Sequence, residues 1–142
     1  MRDKLELAAI RRYFPQFTEP TLQKELSEKG VVHQFAPGEV IIDFGQYIRM
    51  IPLILSGSIK VSRLADEGSE LFLYYLNRGE SCTMTFSCCM ANKQSEIKAI
   101  AEEETRILGL PHFLLDQWMM QYRSWKNFVL TAYDQRMKEL VD

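Results

Sequence analysis

Between Pro37 and Val61 the chain reads PGEVIIDFGQYIRMIPLILSGSIKV, short apolar stretches cut by glycines at 38, 45 and 57, and the cutting continues at Gly68 and Gly79. Glycine enters the left-handed region of backbone space without a Cβ clash, so glycines set between β-rich stretches mark tight corners. Corners recurring about every 7 to 12 residues describe an antiparallel sheet that rolls into a small barrel or jelly roll.

Seven strands are predicted, at residues 31–35, 40–43, 50–56, 58–65, 70–77, 96–102 and 105–110, with turns at 66–68 and 77–79. The rolled sheet therefore spans residues 31–110, and its core should hold Val40, Ile42, Leu53, Leu55, Ile59, Val61, Leu73, Tyr75, Ile97 and Ile107. Two helices precede it: residues 4–14, stopped by Pro15, and residues 18–29, capped at Gly30. Pro111 should open a final helical region, because proline at the first helical position gives up no needed hydrogen bond. Near the carboxyl end Trp125, Val129, Ala132, Tyr133, Arg136 and Leu140 recur in steps of three and four, a stripe suited either to another helix or to the chain's own sheet.

The 142 residues, with 46% apolar and 25% charged, suit one folded domain with its own core. No apolar run approaches the ~20 residues that cross a bilayer, and the amino terminus MRDKLELAAIRRYF lacks a signal-peptide core, so a cytoplasmic location without membrane partners is expected. A formal net charge of −2 offers no cationic footprint for nucleic acid. His33 and His112 are far apart in sequence, and neither a nucleotide loop nor a nucleophile motif is present, so catalytic residues are not assigned and an enzyme is not expected. A metal-binding cupin-like enzyme would need a histidine cluster that the sequence does not supply.

The spacing of Gly38-Glu39, Gly45, Gly57 with Ile59-Lys60-Val61, and Gly79-Glu80 resembles the cyclic-nucleotide-binding domain of CRP/FNR-type bacterial transcription regulators. The resemblance implies a mainly β double-stranded β-helix, or jelly roll, with flanking helices, followed by a long dimerisation helix over about residues 123–142. Residues 1–142 would form one sensor domain, with the helix-turn-helix DNA-binding domain of such regulators absent from this chain. It also implies a homodimer formed through that helix, a small-molecule effector, DNA contact only through the missing domain, and control by population shift. A pure dimerisation module, its vestigial pocket plugged by Met84, Phe86 and Met90, is the alternative.

In that family the stretch after the Gly-Glu pair is a phosphate-binding cassette, in which helix amides and an arginine hold the cyclic phosphate. The corresponding residues here are Gly79, Glu80, Ser81, Cys82, Lys93, Ser95 and Glu96, which are the candidate effector pocket. Lys93 or its neighbours Asn92 and Gln94 stand where the arginine belongs, and the Glu96 carboxylate would repel a phosphate, so cyclic AMP binding does not carry over and the cofactor is unknown. Cys82, Cys88 and Cys89 all fall inside this stretch. Three thiols so placed do not match the four-cysteine iron–sulfur site of the FNR branch. They remain open to three readings: buried small hydrophobes, a thiol redox sensor, or a soft-metal site completed by a histidine.

Overall fold

The computed structural model describes residues 3–141. Helices α1 (Leu7–Tyr13) and α2 (Pro20–Lys29) lead into strands β1 (Val31–Phe35), β2 (Val40–Ile42), β3 (Met50–Ser56), β4 (Ile59–Leu64) and β5 (Glu70–Leu76). Helix α3 (Thr83–Met90) then separates them from β6 (Ile97–Ala101) and β7 (Thr105–Pro111), and α4 (Leu114–Gln121) and α5 (Arg123–Val141) close the chain. All strand pairings are antiparallel, in two sheets of order β1-β7-β3 and β2-β6-β4-β5. The sheets face each other as a jelly roll without closing into a continuous barrel.

In the three-stranded sheet, β3 and β7 are buried on both faces. Along β3, Ile51, Leu53 and Leu55 point towards the helices, whereas Ile54 points between the sheets; β7 repeats the division, with Leu108 and Leu110 on one side and Ile107 on the other. Strand alternation makes this possible, and it explains why β3 reads as an unbroken apolar run. Pro52 is tolerated because β3 is an edge strand, whose outer side the segment after β5 covers: Gly79 N–H donates to Ile54 O at 2.8 Å and Ile54 N–H to Glu80 O at 3.0 Å.

Seven of the ten expected core residues are buried, but Val40 and Tyr75 are each 45% exposed and Leu73 is only half-buried. Bulges cause the departures. The β2–β6 register shifts between Val40 and Ile42, and the β4–β5 register shifts between Val61 and Ser62, so the alternation changes parity. Tyr75 consequently lies opposite outward-facing Lys60, while Tyr74 lies opposite buried Val61. Pro111 also departs from expectation: it ends β7, and α4 starts only at Leu114. Gly30 does cap α2, but at φ −76°, outside the left-handed region. Its lack of a side chain serves packing instead, since a Cβ there would lie 2.7 Å from the Leu108 side chain.

The α4–α5 junction is held by the amino-terminal helices. Tyr122 leaves helical geometry at φ −127°, ψ 117°. Ser124 then donates its backbone N–H to Glu19 Oε2 at 3.0 Å and its hydroxyl to Glu19 Oε1, and accepts the Thr18 N–H at 3.3 Å. Glu19 thus caps α5 from another element, satisfying amides that a helix start leaves unpaired. Burial pushes the Glu19 pKa up, but the hydrogen bonds from the Ser124 hydroxyl and the Ser124 and Arg123 amides outweigh it and hold the carboxyl below the usual range. Glu25 takes the Tyr122 hydroxyl and pairs with Lys29 at 2.7 Å; burial and this carboxylate push the Tyr122 phenol up to about 12.

Two stability tests follow from this architecture. Gly57 has φ +91°, and a Cβ there would lie 2.5 Å from Glu104 O; Gly68 has φ +94° with nothing within 4 Å. Gly68→Ala should cost about 1 kcal/mol and Gly57→Ala at least about 3 kcal/mol in urea unfolding, because only the second adds a clash to the backbone strain. For Glu19, a lowered native pKa means stabilisation that is complete above the unfolded-chain value and lost as pH falls through the native one. The stability gap between the parent chain and Glu19→Gln should stay constant from pH ~8 to ~5 and narrow below about pH 4.

Candidate functional site

Three four-residue turns share one construction. In Ala36–Glu39, Asp43–Gln46 and Asn77–Glu80 the third residue is a glycine at φ +88°, +81° and +81°. The fourth side chain then accepts the N–H of the first residue, at 2.7, 2.9 and 2.7 Å. Glycine supplies the left-handed position, and the Glu or Gln oxygen caps the turn it ends. Glu80 is therefore spent on its own turn. Ser81 is also internally satisfied, its buried hydroxyl donating to Pro52 O at 2.5 Å.

After that turn α3 crosses the end of the two-sheet stack. Phe86 joins the core on the helical side and Cys88 the core between the sheets, so the helix is pinned to both. Eight helical residues thereby separate Glu80 from Lys93, and the residues expected to form one pocket fall around three cavities. Gly79, Glu80 and Ser81 line a groove of about 460 Å³ beside α5. Lys93 lines a small cavity of about 210 Å³ with Arg49, Cys89, Asn92 and His112. Ser95 and Glu96 line the jelly-roll mouth, a cavity of about 580 Å³ completed by Phe44, Gly45, Arg63, Leu64 and Met84. Cys82 is buried between the sheets, with its Sγ 3.5 Å from the Tyr74 hydroxyl.

At the mouth, the Ser95 hydroxyl donates to Ile97 O at 2.8 Å and accepts the Ile97 N–H at 3.1 Å, leaving it little capacity for a ligand. Glu96 pairs with Lys93 at 3.1 Å on the exposed surface, which offsets its charge. Arg63 reaches only Leu64 O, at 3.1 Å, and has no carboxylate partner among the described residues. The mouth thus has one uncommitted cation and mainly apolar walls. Phe44, Arg63 and Leu64 were not legible as site residues, because they carry no local motif and reach the cavity from the turn after β2 and the end of β4. The plug of the alternative reading is not seen at this cavity: Phe86 is fully buried in the core on the helical side, Met90 is 51% exposed, and of the three only Met84 lines the cavity.

The outer side of α3 carries the contact with α5. The Tyr133 hydroxyl lies 2.8 Å from the Ser87 hydroxyl and donates to Thr83 O at 3.2 Å, and its ring packs on Phe86 at 6.2 Å between centroids. One turn on, the Arg136 guanidinium lies 4.0 Å from the ring centroid of Tyr74, whose hydroxyl approaches Cys82 and Thr83. Burial, with Cys82 nearby, raises the Tyr74 pKa.

The expected helix stripe is divided by this packing. Trp125 and Val129 are 0% and 1% exposed within their own domain, against Phe17, Trp118 and Phe128, and so are closed to a partner. Ala132, Tyr133 and Arg136 are partly buried against the same domain, while Leu140 is 82% exposed. The unpartnered apolar side chains of α5 are Leu130, Met137, Leu140 and Val141.

All three cysteines are free. Cys88 and Cys89 are consecutive helical residues, whose side chains diverge around the axis, so a vicinal disulfide would require unwinding α3. Burial, followed by the neighbouring Cys88 and Cys82, pushes the Cys89 thiol up to about 11, which keeps it protonated and unreactive near neutrality. Among the described residues no group of three or more His, Cys, Asp or Glu side chains is placed to hold a metal ion. His33 stacks near Phe35 on β1, whereas His112 lines the small cavity that Cys88 and Cys89 also line.

Residues 32–122 match the family model of the cyclic nucleotide-binding domain. No curated protein matches the chain in sequence. Among solved structures, it is similar to a candidate transcriptional regulator of the CRP/FNR family from Eubacterium rectale, at 24% identity and TM-score 0.76, covering 92% of this chain and 61% of that one. It is also similar to the Thermus thermophilus catabolite activator protein, at 17% identity and TM-score 0.70, covering 93% and 59%. The regulatory subunit of a cAMP-independent protein kinase A from Trypanosoma brucei aligns at 18% identity and TM-score 0.64, covering 85% and 52%. The chain thus spans about three fifths or less of the length of these three proteins. The match over more than half of its length, on a jelly roll of this topology, places the chain in the cyclic nucleotide-binding domain family.

Proposed function

We propose that this domain senses a small effector at the jelly-roll mouth and transmits its occupancy through α3 to α5. The family is regulatory, its domains occurring in transcription regulators and in kinase regulatory subunits. The observation that carries the reading is the double role of α3. Met84 on this helix lines the mouth, while Thr83 and Ser87 on the same helix hold the Tyr133 hydroxyl of α5. An effector that displaces Met84 moves a rigid helix of eight residues, and the hydrogen bonds to Tyr133 carry that shift to α5. In a CRP/FNR-type regulator α5 would then set the orientation of an attached DNA-binding domain.

The mouth favours an anionic effector with an apolar body, its charge meeting Arg63 and its body lying on Phe44, Leu64 and Met84. Cyclic AMP suits it poorly, since Lys93 turns away to pair with Glu96 and Ser95 is already satisfied. A thiol sensor has less support, because Cys82 and Cys88 are buried and Cys89 holds its proton. Self-association through α5 would use Leu130, Met137 and Leu140, spaced seven and three residues apart, with Tyr133 between them: a seam suited to a second copy. Among the described residues no helix is long and apolar enough to cross a membrane. From the likeness to CRP/FNR-type regulators we infer a cytoplasmic location.

The coupling can be tested without knowing the effector. Met84→Trp fills part of the mouth and should change amide hydrogen exchange along α5 by about tenfold, and adding Tyr133→Phe should cancel the change. Unaltered exchange in α5 would sink the proposed path. Cyclic AMP and cyclic GMP should show no calorimetric binding tighter than about 1 mM; a micromolar Kd would overturn the reading of the mouth. Leu130→Asp and Met137→Asp should each raise the dimer dissociation constant at least about tenfold in sedimentation velocity, as burying an unpaired charge requires. An unchanged sedimentation profile would remove α5 as the interface.

A further inference from the structure

The groove of about 460 Å³ beside α5 is separate from the mouth, and the sensing reading above makes no use of it. Its floor is apolar, from Phe128 and Ala132, and one wall is the row Asn127, Thr131 and Gln135, which follow one another at helical spacing of four. The opposite wall is the α1–α2 loop and the Asn77–Glu80 turn, tied together where Gln16 Nε2 donates to Gly79 O at 3.3 Å.

The charges lining the groove are nearly all spent. Glu19 caps α5, and Glu80 caps its own turn. Arg136 pairs with Glu139 at 3.0 Å and lies over Tyr74. Of the two arginines, Arg123 alone has no ion pair among the described residues, and it stands at the end of the groove where α5 begins. The volume falls within the range of small-molecule sites, roughly 300–1,000 Å³.

From this charge balance we infer that the groove is a second ligand site, taking a small aromatic carboxylate whose ring lies on Phe128 and Ala132 and whose carboxylate meets Arg123. The amide and hydroxyl row on α5 would then accept or donate hydrogen bonds at the ring's polar edge. A bound ligand would touch the α1–α2 loop, the start of α5 and the turn before α3 at once.

The probe is 2-naphthoate, with 2-naphthamide as its neutral counterpart, titrated into the full chain and followed by two-dimensional amide NMR. Saturable shifts are expected at Ser81, Asn127 and Thr131, with 2-naphthamide weaker by about tenfold and Arg123→Gln weakening the carboxylate by a similar factor. Ala132→Trp, which fills the floor, should abolish the shifts. Because Arg123 is exposed, its substitution tests the site even if the tryptophan variant fails to fold. No saturable shift up to about 5 mM, equal binding by both probes, or unchanged affinity in Arg123→Gln would overturn the inference. So would shifts confined to Arg63, Leu64 and Met84, which mark the mouth, or a loss of self-association in Ala132→Trp, which would make the groove a seat for a second copy.

Discussion

The burial of both faces of the paired strands β3 and β7 is the constraint on which the other elements depend. Each fully buried aliphatic side chain contributes about 1.5–3 kcal/mol relative to exposure, and β3 and β7 present such side chains in both directions. One face needs a cover of helices and the other a cover of sheet. α1, α2, α4 and the first half of α5 supply the first, and β2-β6-β4-β5 with α3 supplies the second. The stripe on α5 is shared out accordingly. Trp125 and Val129 are fixed in the domain's own core, and only the later turns keep apolar side chains free.

Helix α3 holds its place because it belongs to both cores at once, through Phe86 on one side and Cys88 on the other. A helix anchored in this way moves as a unit, and the groups it carries on separate faces are coupled by its rigidity. The Tyr133 contact is therefore where the proposed coupling between α3 and α5 would pass. The same anchoring accounts for the cysteines. Cys82 and Cys88 fill core volume, the burial that suits them to packing denies them the exposure of reactive thiols, and partial burial keeps the proton on Cys89 beside them.

Much of this was legible in the chain. The glycines located the corners, and the apolar runs located all seven strands to within a residue or two, because turn chemistry and alternation act locally. What failed was non-local. Val40 and Tyr75 face outwards because bulges reverse the alternation, and a bulge depends on the partner strand. The segment TMTFSCCM is rich in residues that favour strands and has no helical stripe of its own; its helix comes from the two cores it joins. The stripe on α5 was visible, but whether its own domain or a second copy would cover it depended on where α1 and α2 placed Phe17.

The Gly-Glu pair shows how a motif can be recognised correctly and still mislead about a site. Gly79-Glu80 helped to identify the family, yet the structure repeats its geometry at Gly38-Glu39 and Gly45-Gln46. A pattern that recurs wherever the chain needs the same corner is explained by the corner. Its carboxylate or amide oxygen accepts the N–H of the residue that opens the turn, a hydrogen bond with a net contribution of about 0.5–1.5 kcal/mol. Glu80 therefore reports on how the chain turns, whereas Arg63 and Met84 line the cavity proposed above to take an effector.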